Sequence, residues 1–143
     1  MNQKILDFLK KERVCSFSIV LPNGMPHAAA VHYSHEENPL RLFIQTSNKS
    51  VKFSPFLNGE IAKAAVVIGF SEKDWLTFQM RGDVRMVGGR KEIDVIQHIH
   101  YAKHPDAEKW KDDPETVFIE FMPTWWRFTD YNTTPETIIE GHE

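Results

Sequence analysis

Phe43-Ile44-Gln45-Thr46-Ser47-Asn48-Lys49-Ser50-Val51-Lys52 is the stretch on which the reading of this chain turns. It closes an apolar strand, Leu40-Arg41-Leu42-Phe43-Ile44-Gln45, and begins something else. Residues 46–50 disfavour a strand and supply hydroxyls, an amide and a cation. Ser50 has the chemistry of a helix N-cap, and residues 51–58 read as a short helix that Gly59 ends. The start of a helix exposes free N–H groups and positive dipole. With the hydroxyls of Thr46, Ser47 and Ser50 and the charge of Lys52, the stretch suits a phosphate monoester, which offers several acceptor oxygens and about two negative charges. The same residues also make a capped surface turn with a solvated lysine, and composition alone leaves both readings open.

Upstream, Glu36-Glu37-Asn38-Pro39 is a turn, and residues 27–35 form the strand before it. Pro22-Asn23-Gly24-Met25-Pro26 is the clearest turn in the chain, because proline presets the first bend and Asn-Gly accepts positive φ. It joins that strand to residues 14–21, where Cys15, Phe17 and Ile19 alternate with Ser16 and Ser18, so the pair is a β-hairpin. Residues 3–13 read as a short amphipathic helix with Ile5, Phe8 and Leu9 on one face.

Downstream, residues 61–70 form a buried strand around Ala64-Ala65-Val66-Val67-Ile68. Residues 75–87 form a long strand with period two: Trp75, Thr77, Gln79, Arg81 and Asp83 on one face, Leu76, Phe78, Met80, Gly82 and Val84 on the other. Gly82 in mid-strand predicts a bulge or a close backbone approach. Residues 91–103 form a helix that His104-Pro105 ends, and the stretch to Pro114 is loop. Residues 116–122 and 125–131 are the last two strands, with Pro123-Thr124 turning between them, and residues 132–143 make a polar, loose tail. About seven strands, mostly hairpin-connected, with two substantial helices and one short one, indicate an α+β antiparallel barrel or sandwich in one domain spanning residues 1–143.

Composition narrows the function. The chain has 143 residues, 41% hydrophobic and 26% charged, as a globular domain has. A net charge of -3 argues against nucleic-acid binding by bulk electrostatics. A single cysteine, Cys15, closes no internal disulfide. No apolar h-region opens the chain and no run of about 18 apolar residues interrupts it, so a soluble cytoplasmic protein is expected. Neither G-x-G-x-x-G nor a P-loop occurs, and no G-x-S-x-G elbow. His100 and His104, four apart, could share a helix face, but no Glu-x-x-His accompanies them and no metal site is expected. His27, His32 and His35 are read as solvated or hydrogen-bonded.

The order helix, strand, Pro-Asn-Gly-Met-Pro turn, strand, strand, T-S-x-x-S-x-K, followed by the Gly82 strand, a helix and Phe118-Ile119-Glu120-Phe121, resembles the pyridoxamine 5′-phosphate oxidase-like family of FMN-binding split barrels. The resemblance covers roughly residues 3 to 131 and is greatest to the small bacterial members. It implies a split β-barrel and a homodimer with FMN at the subunit interface. It places the FMN phosphate at Thr46, Ser47, Ser50 and Lys52, and the isoalloxazine ring along Ala29, Ala30, Val31 and His32. It brings partner residues from the strand of Thr77 and Gln79 and from near Trp126.

What the resemblance implies is a flavin-dependent oxidoreductase of unassigned substrate. The alternatives are a non-catalytic flavin-binding or stress-response module, or a barrel for another planar ligand such as haem or deazaflavin. No catalytic residue is assigned. The family's second basic residue in the phosphate loop is Val51 here, an arginine of the second strand is Ala29, and an aromatic after Glu-Phe is Met122. Residues 131–143 contain no Arg or Lys with which to hold a substrate phosphate. Oxidation of pyridoxamine 5′-phosphate by the FMN-saturated protein is therefore expected to be negligible. Oxygen-dependent formation of pyridoxal phosphate at about 1 per second or faster would contradict this.

Overall fold

The structure is a computed structural model that describes residues 1–142. Its elements run α1 (Gln3–Lys11), β1 (Val14–Val20), β2 (Pro26–His32), β3 (Ser34–Glu37), β4 (Leu40–Ser47), a 3-10 helix (Val51–Asn58), β5 (Ala62–Ile68), β6 (Leu76–Met86), α2 (Arg90–Lys103), a second 3-10 helix (Pro105–Trp110), β7 (Thr116–Asp130) and β8 (Thr137–His142). The eight strands form one sheet in the order β2-β1-β5-β6-β7-β4-β3, with β8 added on β7. Every pairing is antiparallel. The edge strands β2 and β3 are consecutive in the chain, with Tyr33 alone between them. The sheet therefore curls until its two edges meet at one residue, which is a split β-barrel.

Alternation decides what fills it. Cys15, Phe17 and Ile19 of β1, Val66 and Ile68 of β5, and Phe78, Met80 and Val84 of β6 are all buried. They form one core with Leu42 and Ile44 of β4 and with Ile119, Phe121, Trp126 and Phe128 of β7. The apolar face of α1, Ile5, Phe8 and Leu9, plugs one end. β4 and β7 are apolar on both faces because α2 covers their outer side, where Phe43, Phe118, Ile96, Tyr101 and Val87 make a second cluster. Beside it Glu120, 1% exposed, is held by Arg41 at 2.6 Å and Arg85 at 2.5 Å. Those cations offset the expense of burying a carboxylate.

The inward and outward faces of β6 match the sequence reading, and the register shifts between Arg81 and Gly82, where the bulge was expected. Four expectations need correction. The strand read over residues 27–35 breaks at Tyr33 into β2 and β3. Trp75 precedes β6 as a turn residue with φ 54°. The two strands read at 116–122 and 125–131 are one, β7. Pro123 is tolerated inside it because pairing with β4 ends at Phe121, pairing with β8 begins at Trp125, and the β6 register shifts opposite, so no regular ladder bond is lost. The tail expected to be loose contains β8, paired with β7 from Asp130 to Trp125. Thr137-Ile138-Ile139 provides the β-branched residues, and Gly141 lets the backbone pack against the Trp126 indole, which a Cβ would strike. Among the described residues no helix is long and apolar enough to cross a membrane.

Candidate functional site

A cleft of about 630 Å³ opens at the barrel's seam. Its size is in the range of small-molecule sites. β2 contributes Val31 and His32, β4 and its loop contribute Gln45, Thr46 and Ser47, and the first 3-10 helix contributes Lys52. Arg13 enters from the start of β1, and His100, His104, Ala107 and Trp110 from α2 and the second 3-10 helix.

The phosphate-type loop is built differently from expectation. Residues 51–58 form a 3-10 helix with Pro55 inside, and Ser50 makes no side-chain cap. Its hydroxyl instead donates to the Ser47 carbonyl at 2.7 Å and so accepts from Thr46 at 3.1 Å. The dipole of a regular α-helix is therefore missing from the site, and side chains carry its electrostatics. Ser47 accepts from the Lys49 amide at 3.1 Å and keeps its own hydroxyl proton free. Lys52 is half-buried and, among the described residues, pairs with no carboxylate. Burial alone lowers its pKa from the ordinary lysine value. An unpaired cation beside a free hydroxyl donor is the arrangement that an anion repairs.

At the seam the backbone of Tyr33 has no strand on its far side, and α2 supplies the missing partner. His104 Nε2 donates to the Tyr33 carbonyl at 2.7 Å. Its Nδ1 therefore accepts from the Arg13 guanidinium at 3.2 Å, which leaves the ring neutral. Ser34, 1% exposed, has the Nδ1 of His100 as its hydroxyl partner at 2.8 Å. The rings of His32 and His100 each lie with centroids 4.9 Å from that of His104. Burial, followed by the neighbouring histidines, lowers the pKa of His100 to about 3. Burial also lowers that of His104. Lys103 donates to the Leu9 carbonyl at 2.9 Å and lies over the Tyr33 ring. Burial, followed by Arg13, holds its ammonium at about 8.

These shifts predict a pH dependence. A histidine whose folded pKa lies below the unfolded 6.5 binds fewer protons folded than unfolded. Its contribution is complete above about 6.5 and is lost as pH falls toward about 3. The denaturation midpoint is expected to decline from about pH 7 to about pH 4.5, a window above the titration of salt-bridged carboxylates. A flat profile there would show that these rings are not withdrawn from water.

Of the residues read from sequence, the cleft gathers Val31, His32, Thr46, Ser47 and Lys52, with Ser50 bonded to Thr46 just behind. Ala29 faces inward on β2 beside Phe17, and Ala30 faces outward beside Ser16. Thr77 and Gln79 lie on the outer face of β6, away from the cleft. Trp126 is 7% exposed beneath β8, edge-on to Phe78, with its Nε1 unpartnered. Sequence reading missed Arg13, Gln45 and Trp110, and gave no ligand-facing role to His100 or His104. The spacing of four between the last two was the one available signal, and it does put both on the face toward the seam.

No protein-family profile matches the chain, and no curated protein matches it in sequence. Solved structures do match in shape. A haem-binding protein from Mycobacterium smegmatis superposes with TM-score 0.74 at 14% identity over 94% of this chain, which spans about half (55%) of that one. A Clostridium acetobutylicum protein related to general stress protein 26, of the pyridoxine-phosphate oxidase family, gives 0.71 at 12% identity, covering 97% and 92% of the two chains. HutZ, the haem storage protein of Vibrio cholerae, gives 0.70 at 10%, covering 84% and 87%. At these identities the likeness is one of fold, and the chain has the antiparallel split-barrel fold common to these proteins.

Proposed function

We propose that the cleft binds FMN and that the protein works as a flavin-dependent oxidoreductase. The observation that carries this is the unpaired, half-buried Lys52 beside the free Ser47 hydroxyl, at the edge of a cleft of about 630 Å³. Lys52, Ser47 and Thr46, with Ser50 behind them, would hold the phosphate. Val31 and His32, with Ala29 and Ala30 in the same strand, would flank the ring, since small side chains allow a planar group to approach the backbone. A bound flavin supplies hydride and electron transfer, and the protein supplies position and electrostatics. Mass spectrometry of the co-purifying ligand, with the absorption spectrum of the purified protein, tests the reading. A colourless protein that takes up no added FMN would refute it.

The reading includes a homodimer. The outer face of β2, β1, β5 and β6 carries rows Ala30-Ser16-Val67-Gln79 and Ala28-Ser18-Ala65-Arg81, made mostly of small side chains and, among the described residues, covered by no helix. Such a face suits a two-fold contact. A partner there would meet Thr77 and Gln79, and each flavin would touch both chains. Light scattering is expected to give twice the monomer mass, and a monomer with FMN bound would overturn the arrangement.

One observation favours haem as a second reading. His32 makes no hydrogen bond among the described residues, and its imidazole lines the cleft, so it is available as an axial ligand. A Soret band in place of flavin absorption would select that reading.

A further inference from the structure

The cleft has two chemically distinct ends, and the proposed phosphate loop uses one of them. Around His104 the polar groups divide into spent and open. Gln45 is spent: its amide donates to the Ala107 carbonyl at 3.2 Å and its oxygen accepts from Tyr101 at 2.6 Å. His104 is spent at both nitrogens. Three groups remain open. The Arg13 guanidinium gives one N–H to the Lys103 carbonyl at 3.1 Å and one to His104, both neutral acceptors, and among the described residues no carboxylate pairs with it. His100 is 1% exposed with its Nδ1 engaged by Ser34, while its Nε2 has no partner among the described residues and the residue lines the cleft. His32 makes no hydrogen bond among the described residues, and its ring centroid lies 4.9 Å from that of His104.

We propose that Arg13, His100 and His32 form a carboxylate-binding subsite that takes a small organic acid as the cleft's second ligand. The identity of the first ligand rests on the flavin reading, and the subsite itself does not. An arginine held by two hydrogen bonds loses little freedom on binding, and its planar fork matches a carboxylate. With the one permanent charge of Arg13 and two imidazoles beside it, the subsite matches a monoanion better than a phosphate dianion, which suits the Lys52 end. Of the cleft's acids, Asp106 lies on the second 3-10 helix near His104, whereas Asp113 and Glu115 lie in the loop that enters β7 beside Ser47.

The test uses benzoate, with benzamide as its uncharged isostere. Protein carrying isotope-labelled histidine is titrated with each, with and without FMN, and the ring signals of His100 and His32 are followed. Saturable shifts with benzoate are expected in both conditions, with benzamide at least about tenfold weaker, the scale of one charge-assisted contact. Arg13→Gln should weaken benzoate about tenfold or more and leave FMN affinity unchanged, and Lys52→Ala should do the reverse. Equal binding of benzoate and benzamide, absence of shifts, or an Arg13→Gln protein that binds benzoate as before would overturn the subsite. Benzoate binding in a protein that takes up no FMN would uphold the subsite and remove the flavin reading alone.

Discussion

Replacing Lys52 with alanine is expected to weaken FMN binding by roughly 1.5–3 kcal/mol, about one to two orders of magnitude in Kd. The magnitude follows from the state of the side chain before any ligand arrives. Its ammonium is half-buried, has lost part of its hydration, and pairs with no carboxylate among the described residues. A phosphate would replace that hydration with a charge-assisted bond in a setting of reduced dielectric. Thr46 and Ser50 contribute less, since their hydroxyl protons already serve acceptors within the loop and must turn to reach a ligand. Ser47→Ala should therefore fall below Lys52→Ala in effect and above Ser50→Ala. Titration of the apo-protein with FMN measures the series, and an unchanged Kd for Lys52→Ala would remove the loop from the site.

The second large effect is on stability. Gly82→Ala should destabilise the fold by about 3 kcal/mol, read as a lower denaturation midpoint at unchanged slope. A methyl at this position would come within 2.7 Å of the Pro123 Cα and closer still to the Met122 carbonyl oxygen. Both are backbone atoms of β7, so relief requires the two central strands to part at the bulge that bends them. Gly88→Ala, where a Cβ meets nothing within 4 Å, is the control and should change stability by no more than about 0.5 kcal/mol. A loss under about 1 kcal/mol for Gly82→Ala would show that the bulge can relax.

Much of this was legible in local sequence. Period-two alternation in β1 and β6 fixed their inner faces, Pro22-Asn23-Gly24-Met25-Pro26 fixed the first hairpin, and Gly82 marked the bulge. These features depend on neighbours within a few residues, where side-chain direction and φ preferences act directly. The misread elements are those in which distant pairing outweighs local preference. Pro123 looks like a strand breaker until the gap between β4 and β8 opposite it is known. Thr137-Ile138-Ile139 looks like tail until β7 offers an edge.

The candidate site divides along the same line. The sequence by itself determined the hydroxyl-and-lysine loop, because Thr46, Ser47, Ser50 and Lys52 are contiguous and their chemistry is complete within seven residues. Only the tertiary structure decided the other end. Arg13, His32 and the pair His100 and His104 come from three places in the chain, and only the spacing of that pair is local. They meet because a barrel that stops one residue short of closure leaves the Tyr33 carbonyl unpaired. A buried carbonyl needs a donor, so the end of α2 is drawn to the seam, and His104 brings Arg13 and its neighbouring imidazoles around it.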